Sequence, residues 1–251
     1  MSERDLALMI HVDPSIVPRY QQALGVLASR WEVRPVVAGA FSTAYVQLAR
    51  GLRRPGGHLL EPLLAHAGAG PRSRWGRVVV ISFSAGYALV RELLSSPDAD
   101  EIAGWIALDS GHAAFEGDRT PLDAHMEPFL RLARRALAGE ALLWYGHSDV
   151  QTPQKGPQAF ASTTQFGLEL LRLLKVESTP PETRFVSPRL VVRAYDVRPG
   201  DHEEHIAALT EWGPTFTAAA LAALDGAEAA AGAEATAEGG APAGVDQETG
   251  V

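Results

Sequence analysis

The sequence predicts an α/β fold: a mostly parallel central sheet of about six or more strands with helices on both faces. Two observations predict it. Short apolar runs of β type alternate along the chain with segments of helical period, the arrangement that yields a parallel sheet covered on both sides. One of those runs, Arg77 to Ser82 (RVVVIS), is continuous and β-branched rather than alternating, as befits a strand buried on both faces.

In order, the strand candidates are Leu6 to Val12, Glu32 to Ala38, Arg77 to Ser82, Ile102 to Asp109, Ala141 to Gly146 and Leu190 to Val197. Between them run helical patterns at Val17 to Arg30, a weaker one near Leu59 to Ala67, then Ala85 to Leu94, Leu122 to Leu137, Thr163 to Leu174, and a last one near Pro214 to Leu224. Pro180-Pro181 marks a loop. Residues 1–226 therefore read as one domain, large enough for one sizeable core. Residues 227–251 (AEAAAGAEATAEGGAPAGVDQETGV) hold too little apolar surface to offset the entropy of ordering, so a disordered tail is expected there.

Composition excludes several functions. A formal net charge of −8 argues against a phosphate-binding surface, which would need clustered Lys and Arg, so no nucleic-acid partner is expected. The chain has no Cys, which removes disulfides, thiolate-bound zinc and a thiol nucleophile, so covalent catalysis would use oxygen or nitrogen. The opening MSERD is followed by no apolar signal segment, and no run approaches the ~20 apolar residues that span a bilayer. A cytoplasmic protein with no membrane span is the expectation. Neither G-x-G-x-x-G nor G-x-x-x-x-G-K-[ST] follows a strand, which argues against a nucleotide site.

The strongest local signal is Ser82-Phe83-Ser84-Ala85-Gly86, directly after the β-branched run and before the helical YALVRELL. It is the small-x-Ser-x-Gly form of G-x-S-x-G. A Ser at the tip of a strained strand-to-helix turn needs small neighbours two residues to either side, because strand and helix backbones approach closely there. Ser84 is thus the candidate nucleophile, and a helix beginning at Ala85 would direct N–H groups at the site, with Ala85 N–H the first oxyanion donor. The plainer reading makes Ser84 a helix cap.

Further along, Gly146-His147-Ser148-Asp149-Val150-Gln151-Thr152-Pro153 follows a strand and resembles the G-x-x-D-x-x-[VT]-P stretch of the α/β-hydrolase superfamily. The resemblance implies Asp149 as the catalytic acid, with Asp109 as its rival, since some members supply the acid from the end of the preceding strand. It implies a His beyond the last strand, where Pro199 to Ile206 offers His205, preferred for the apolar residue that follows it, and His202. The resulting order Ser, Asp, His is the superfamily's own. His11-Val12-Asp13-Pro14 resembles its His-Gly-x-Pro oxyanion loop, which makes Asp13 or Val12 N–H the second donor, although Val12 stands where a glycine would take positive φ cheaply. His202 and His205 with their Glu neighbours spell neither H-E-x-x-H nor H-x-x-E-H, so no metal and no other cofactor is expected.

The resemblance implies a serine esterase with a Ser-His-Asp triad, acting on a small-molecule or polymeric ester. Its motifs leave open an amide, thioester or cell-envelope ester, and a hydrolase fold used only for binding or assembly. The interval from residue 110 to 140 is where such enzymes carry a lid, here a small one including Gly111, His112, Phe115, Met126, Phe129 and Leu130, which would leave an open, partly apolar cleft. His112 and His125 read as packing or surface histidines.

Overall fold

The computed structural model describes residues 4–116, 120–154, 159–177, 185–195 and 202–226. The strands are β1 (Arg4–Ile10), β2 (Trp31–Val36), β3 (Trp75–Phe83), β4 (Ile102–Leu108), β5 (Phe115–Glu116), β6 (Thr120–Pro121), β7 (Leu142–His147), β8 (Phe185–Val186) and β9 (Leu190–Ala194). The helices are α1 (Val17–Ala23), α2 (Ser42–Leu52), α3 (Leu60–His66), α4 (Tyr87–Leu94), α5 (Asp123–Leu137), α6 (Thr163–Leu174), α7 (His202–Thr210) and α8 (Gly213–Leu224). All six predicted strands are present. They join β8 in a seven-stranded sheet of order β2-β1-β3-β4-β7-β9-β8, parallel throughout except for the short edge strand β8.

Both faces of the sheet are apolar, and successive residues alternate between them. Leu6, Leu8, Val78, Val80, Trp105 and Tyr145 enter one core with residues of α2, α3, α4, α5 and α6. Ala7, Met9, Val79, Ile81, Ile106 and Leu142 enter the other with Tyr20 of α1 and Phe216, Ala220 and Leu221 of α8. This two-sided burial explains why the β3 run carries no polar alternation.

Two helices lie outside the predicted set. α2 buries only Tyr45 and Ala49, four residues apart, and begins without a side-chain cap, so it presents little periodic signal. α7 carries a mixed surface around His205. The expected long helix Val17 to Arg30 is instead α1 followed by a 3-10 stretch, Gly25–Ser29. The interval expected to form a lid holds α5, whose Met126, Phe129, Leu132, Ala133 and Ala136 are buried in the sheet-covering layer, with Phe129 packed on Trp105 at 4.6 Å between ring centroids. Its amphipathic stripe belongs to the core and is not available to cover a cleft. In the preceding stretch Ala113 is buried in the same core, and β5 pairs antiparallel with β6. The predicted tail lies outside the described residues, as do Pro180 and Pro181.

The topology fixes where a site can form. β2 lies on one side of β1 and β3 on the other, so the chain reverses its travel across the sheet between β1 and β3. α1 leaves β1 toward one face and α4 leaves β3 toward the other. At such a switch point the loops beyond the carboxyl ends of the strands diverge and open a crevice.

Candidate active site

Three adjacent strands end at that switch point in the same way. Ile10, Phe83 and Leu108 end β1, β3 and β4, and the residues that follow, His11 (φ 64), Ser84 (φ 48) and Asp109 (φ 46), all take the left-handed backbone region. Each conformation costs a non-glycine residue on the order of 1 kcal/mol and is held only by its surroundings. It also breaks the strand's alternation, so the side chain leaves the sheet face.

At Ser84 the turn is a short 3-10 segment, Ser84–Gly86, and α4 proper starts at Tyr87, two residues later than the sequence suggests. Gly86 is demanded by contact. A Cβ there would lie 2.9 Å from the Ile10 carbonyl oxygen and 3.1 Å from His11 Cβ. Ser82 is fully buried and more than small, because its hydroxyl accepts from Trp105 Nε1 at 2.8 Å and donates to Ser110 Oγ at 2.8 Å. The turn opens without a side-chain cap at Phe83. Ser84 is partly exposed, and its Oγ makes no hydrogen bond with another described residue.

His205, on α7, is 17% exposed. Its ring stacks on Phe83 with centroids 4.6 Å apart, and its Nδ1 lies 2.7 Å from Asp109 Oδ2. An ionised carboxylate can only accept, so Nδ1 carries a proton and donates to it. Asp109 is 1% exposed, and it also accepts from Ser148 N at 3.0 Å, Ser148 Oγ at 2.5 Å and Thr163 Oγ1 at 2.5 Å. Burial alone would raise its carboxyl, but the hydrogen bond and charge of His205 and the donors of Ser148 outweigh burial and bring it down to about 2.

The carboxylate at His205 is therefore Asp109 and not Asp149. β7 extends through His147, after which Ser148 turns inward to Asp109 and Asp149 turns out to solvent, where its carbonyl accepts from Gln151 Nε2 at 3.1 Å. One residue of register separates the two outcomes. The signal for Asp109 was its place at the end of the unbroken apolar run IAGWIALD. His202 opens α7, and its side chain lies outside the described residues.

The first loop departs from expectation in a useful way. Val12 is buried, and the positive φ that its lack of a glycine seemed to forbid falls on His11 instead. His11 Nδ1 is 3.0 Å from Tyr45 OH, and its ring faces Phe83 at 6.0 Å, so Phe83 lies between the His11 and His205 rings. Burial lowers the His11 pKa, the Gly39 backbone partly offsets this, and the His205 charge adds to the lowering. Asp13 is exposed, and its carboxylate accepts from Ser15 N at 2.8 Å to cap the 3-10 turn Pro14–Ile16. That side chain is committed to the turn, which leaves its backbone N–H for any role in the crevice.

His112 lies in the stretch after β4. Its Nδ1 is 2.9 Å from the Ala161 carbonyl, and its ring packs edge-on against Tyr87 and Phe160. His125 Nδ1 accepts from Ala114 N at 3.1 Å, a packing role as expected. Among the described residues no group of three or more His, Asp and Glu side chains is arranged to hold a metal ion, and no helix is long and apolar enough to cross a membrane.

No family model matches the chain, and no curated protein matches it. Among solved structures it is similar to the first ketoreductase of the tylosin PKS, at 18% identity and a TM-score of 0.27, over 59% of this chain. The chain spans 31% of that protein's length, and a likeness of this size bears on neither the fold nor the chemistry of the crevice.

Proposed function

We propose that this chain is a serine hydrolase of the α/β-hydrolase type that cleaves carboxylic esters through an acyl-enzyme on Ser84, with His205 as base and Asp109 as acid. The observation that carries the reading is the part-buried Asp109–His205 hydrogen bond, together with a serine held at φ 48 on a strand-to-helix turn, at the carboxyl ends of adjacent parallel strands. In this reading His205 Nε2 takes the Ser84 proton as Oγ attacks the carbonyl carbon, and Asp109 holds the ring in the Nδ1-protonated tautomer and stabilises the imidazolium. The Ala85 N–H and an N–H of the Val12-Asp13 loop receive the oxyanion. The imidazolium then protonates the leaving alcohol, and water, activated by the same His, releases the acid. That the Ser84 hydroxyl makes no hydrogen bond with another described residue is compatible with this, since such hydrogen bonds tighten in the substrate complex.

The absence of a Ser84 Oγ partner among the described residues favours one other reading, a hydrolase fold used for binding alone. A fluorophosphonate probe separates the two. Covalent labelling of Ser84, with p-nitrophenyl ester turnover that Ser84→Ala reduces at least about 1,000-fold, is expected. Failure of the folded protein to label, or turnover that persists in Ser84→Ala, overturns the proposal.

A further inference from the structure

β3 and β4 lie side by side, with Ser82 opposite Ala107, and the loop after β4 turns back beneath the Ser84 turn. Groups from both strands form one chain of hydrogen bonds in the buried layer under it. Trp105 Nε1 donates to Ser82 Oγ, Ser82 Oγ donates to Ser110 Oγ, and Ser110 Oγ donates to the Ser84 carbonyl, at 2.8, 2.8 and 2.9 Å. Trp105, Ser82 and Ser110 have no solvent exposure. Every proton in the chain is fixed. An indole N–H only donates and a carbonyl only accepts, so each serine must accept from the side of Trp105 and donate toward Ser84.

The carbonyl at the end of this chain belongs to the same peptide group as the Ala85 N–H. A hydrogen bond to a peptide oxygen draws electron density from its nitrogen and makes the N–H a stronger donor. The Ser84 oxygen accepts from Tyr87 N as well, so this one peptide is polarised by two donors. We infer that the Trp105-Ser82-Ser110 chain positions and polarises the Ala85 N–H as an oxyanion donor, which makes Ser82 and Ser110 positioning residues. The inference rests on the serine-hydrolase reading of the site. It also accounts for Ser82 standing where the motif usually has glycine: the hydroxyl carries the chain, while the residue stays small enough for the turn.

An oxyanion exists only in the transition state and the tetrahedral intermediate, so loss of the chain falls on kcat and spares KM. In Ser110→Ala, kcat for a p-nitrophenyl ester per fluorophosphonate-titrated site is expected to fall about 10-fold with KM changed less than about 2-fold. Inhibition by a trifluoromethyl ketone, whose adduct with a serine hydroxyl carries the oxyanion charge, weakens by the same factor. Ser82→Ala keeps the last bond but removes the donor behind it, and about a 3-fold fall in kcat is expected. A merely structural role would lower the titrated fraction or the melting temperature and leave kcat per titrated site untouched. Per-site kcat within about 2-fold of wild type in Ser110→Ala, or in Ser82→Ala should Ser110→Ala not fold, overturns the inference. Absence of labelling in the wild type removes the hydrolase reading and this one with it, whereas a labelled wild type with unchanged variants removes this one alone.

Discussion

Two histidine-carboxylate pairs of nearly equal length lie at opposite ends of β4. His205 Nδ1 is 2.7 Å from Asp109 Oδ2 at the carboxyl end, and His58 Nδ1 is 2.6 Å from Asp98 Oδ1 at the amino end. Their surroundings differ. The His205 side chain is 17% exposed and stacked on Phe83, whereas that of His58 is 56% exposed. Besides its histidine, Asp109 is held by Ser148 and Thr163, whereas Asp98 accepts from the backbone N–H groups of Leu59 and, at 2.8 Å, Leu60, the first N–H groups of α3. The second pair starts a helix, and no serine on a strained turn stands near it in the topology. A histidine-aspartate hydrogen bond therefore says little by itself, and what the other histidine nitrogen faces decides its use.

Substitutions can break this comparison. The largest effect is expected for Asp109→Asn, which permits the wrong His205 tautomer and should lower ester turnover by about 1,000- to 10,000-fold, while Asp98→Asn leaves turnover within about 2-fold. Equal losses in the two variants would erase the distinction. Acid should separate the pairs next. The folded Asp109 carboxyl lies near 2, below the ordinary value of 3.8, so below that value the unfolded chain binds the extra proton. The stability it contributes, on the order of 2 kcal/mol, is full above the ordinary carboxylate range and lost as pH falls through about 2. Urea unfolding between about pH 5 and pH 2 should show a steeper loss for wild type than for Asp109→Asn. Asp98→Ala should cost about 1 to 2 kcal/mol in the same measurement at neutral pH, as removal of a helix cap does, without loss of fluorophosphonate labelling. The smallest effect belongs to Asp149→Asn, with turnover within about 2-fold of wild type. A loss there comparable to that of Asp109→Asn would return the acid to the position the loop motif implies.

The sheet was legible because a strand buried on both faces must be written as an unbroken apolar run, and RVVVIS and IAGWIALD are such runs. The turn that carries the proposed nucleophile was legible because backbone contact with Ile10 favours glycine at position 86. The proposed acid was less so. Whether residue 148 or 149 faces inward depends on where β7 lets go of the sheet, a single-residue matter that the GHSDVQTP stretch does not encode locally. The buried chain behind Ser84 was hidden for a similar reason. Ser82 reads as a small residue, and only the pairing of β3 with β4 reveals partners for its hydroxyl at Trp105 and Ser110. α2 escaped notice because two buried residues in eleven make a faint stripe.

One of the left-handed residues that cap β1, β3 and β4 gives the molecule a built-in conflict between durability and chemistry. Glycine would occupy φ 48 without strain, and Ser84, unlike Asp109 with its bonds to His205, Ser148 and Thr163 or His11 with its bond to Tyr45, has no side-chain hydrogen bond among the described residues to offset that cost. A library screened only for survival at high temperature should therefore drift toward glycine at position 84 while keeping Asp109, so heat resistance and chemistry pull apart at that one residue.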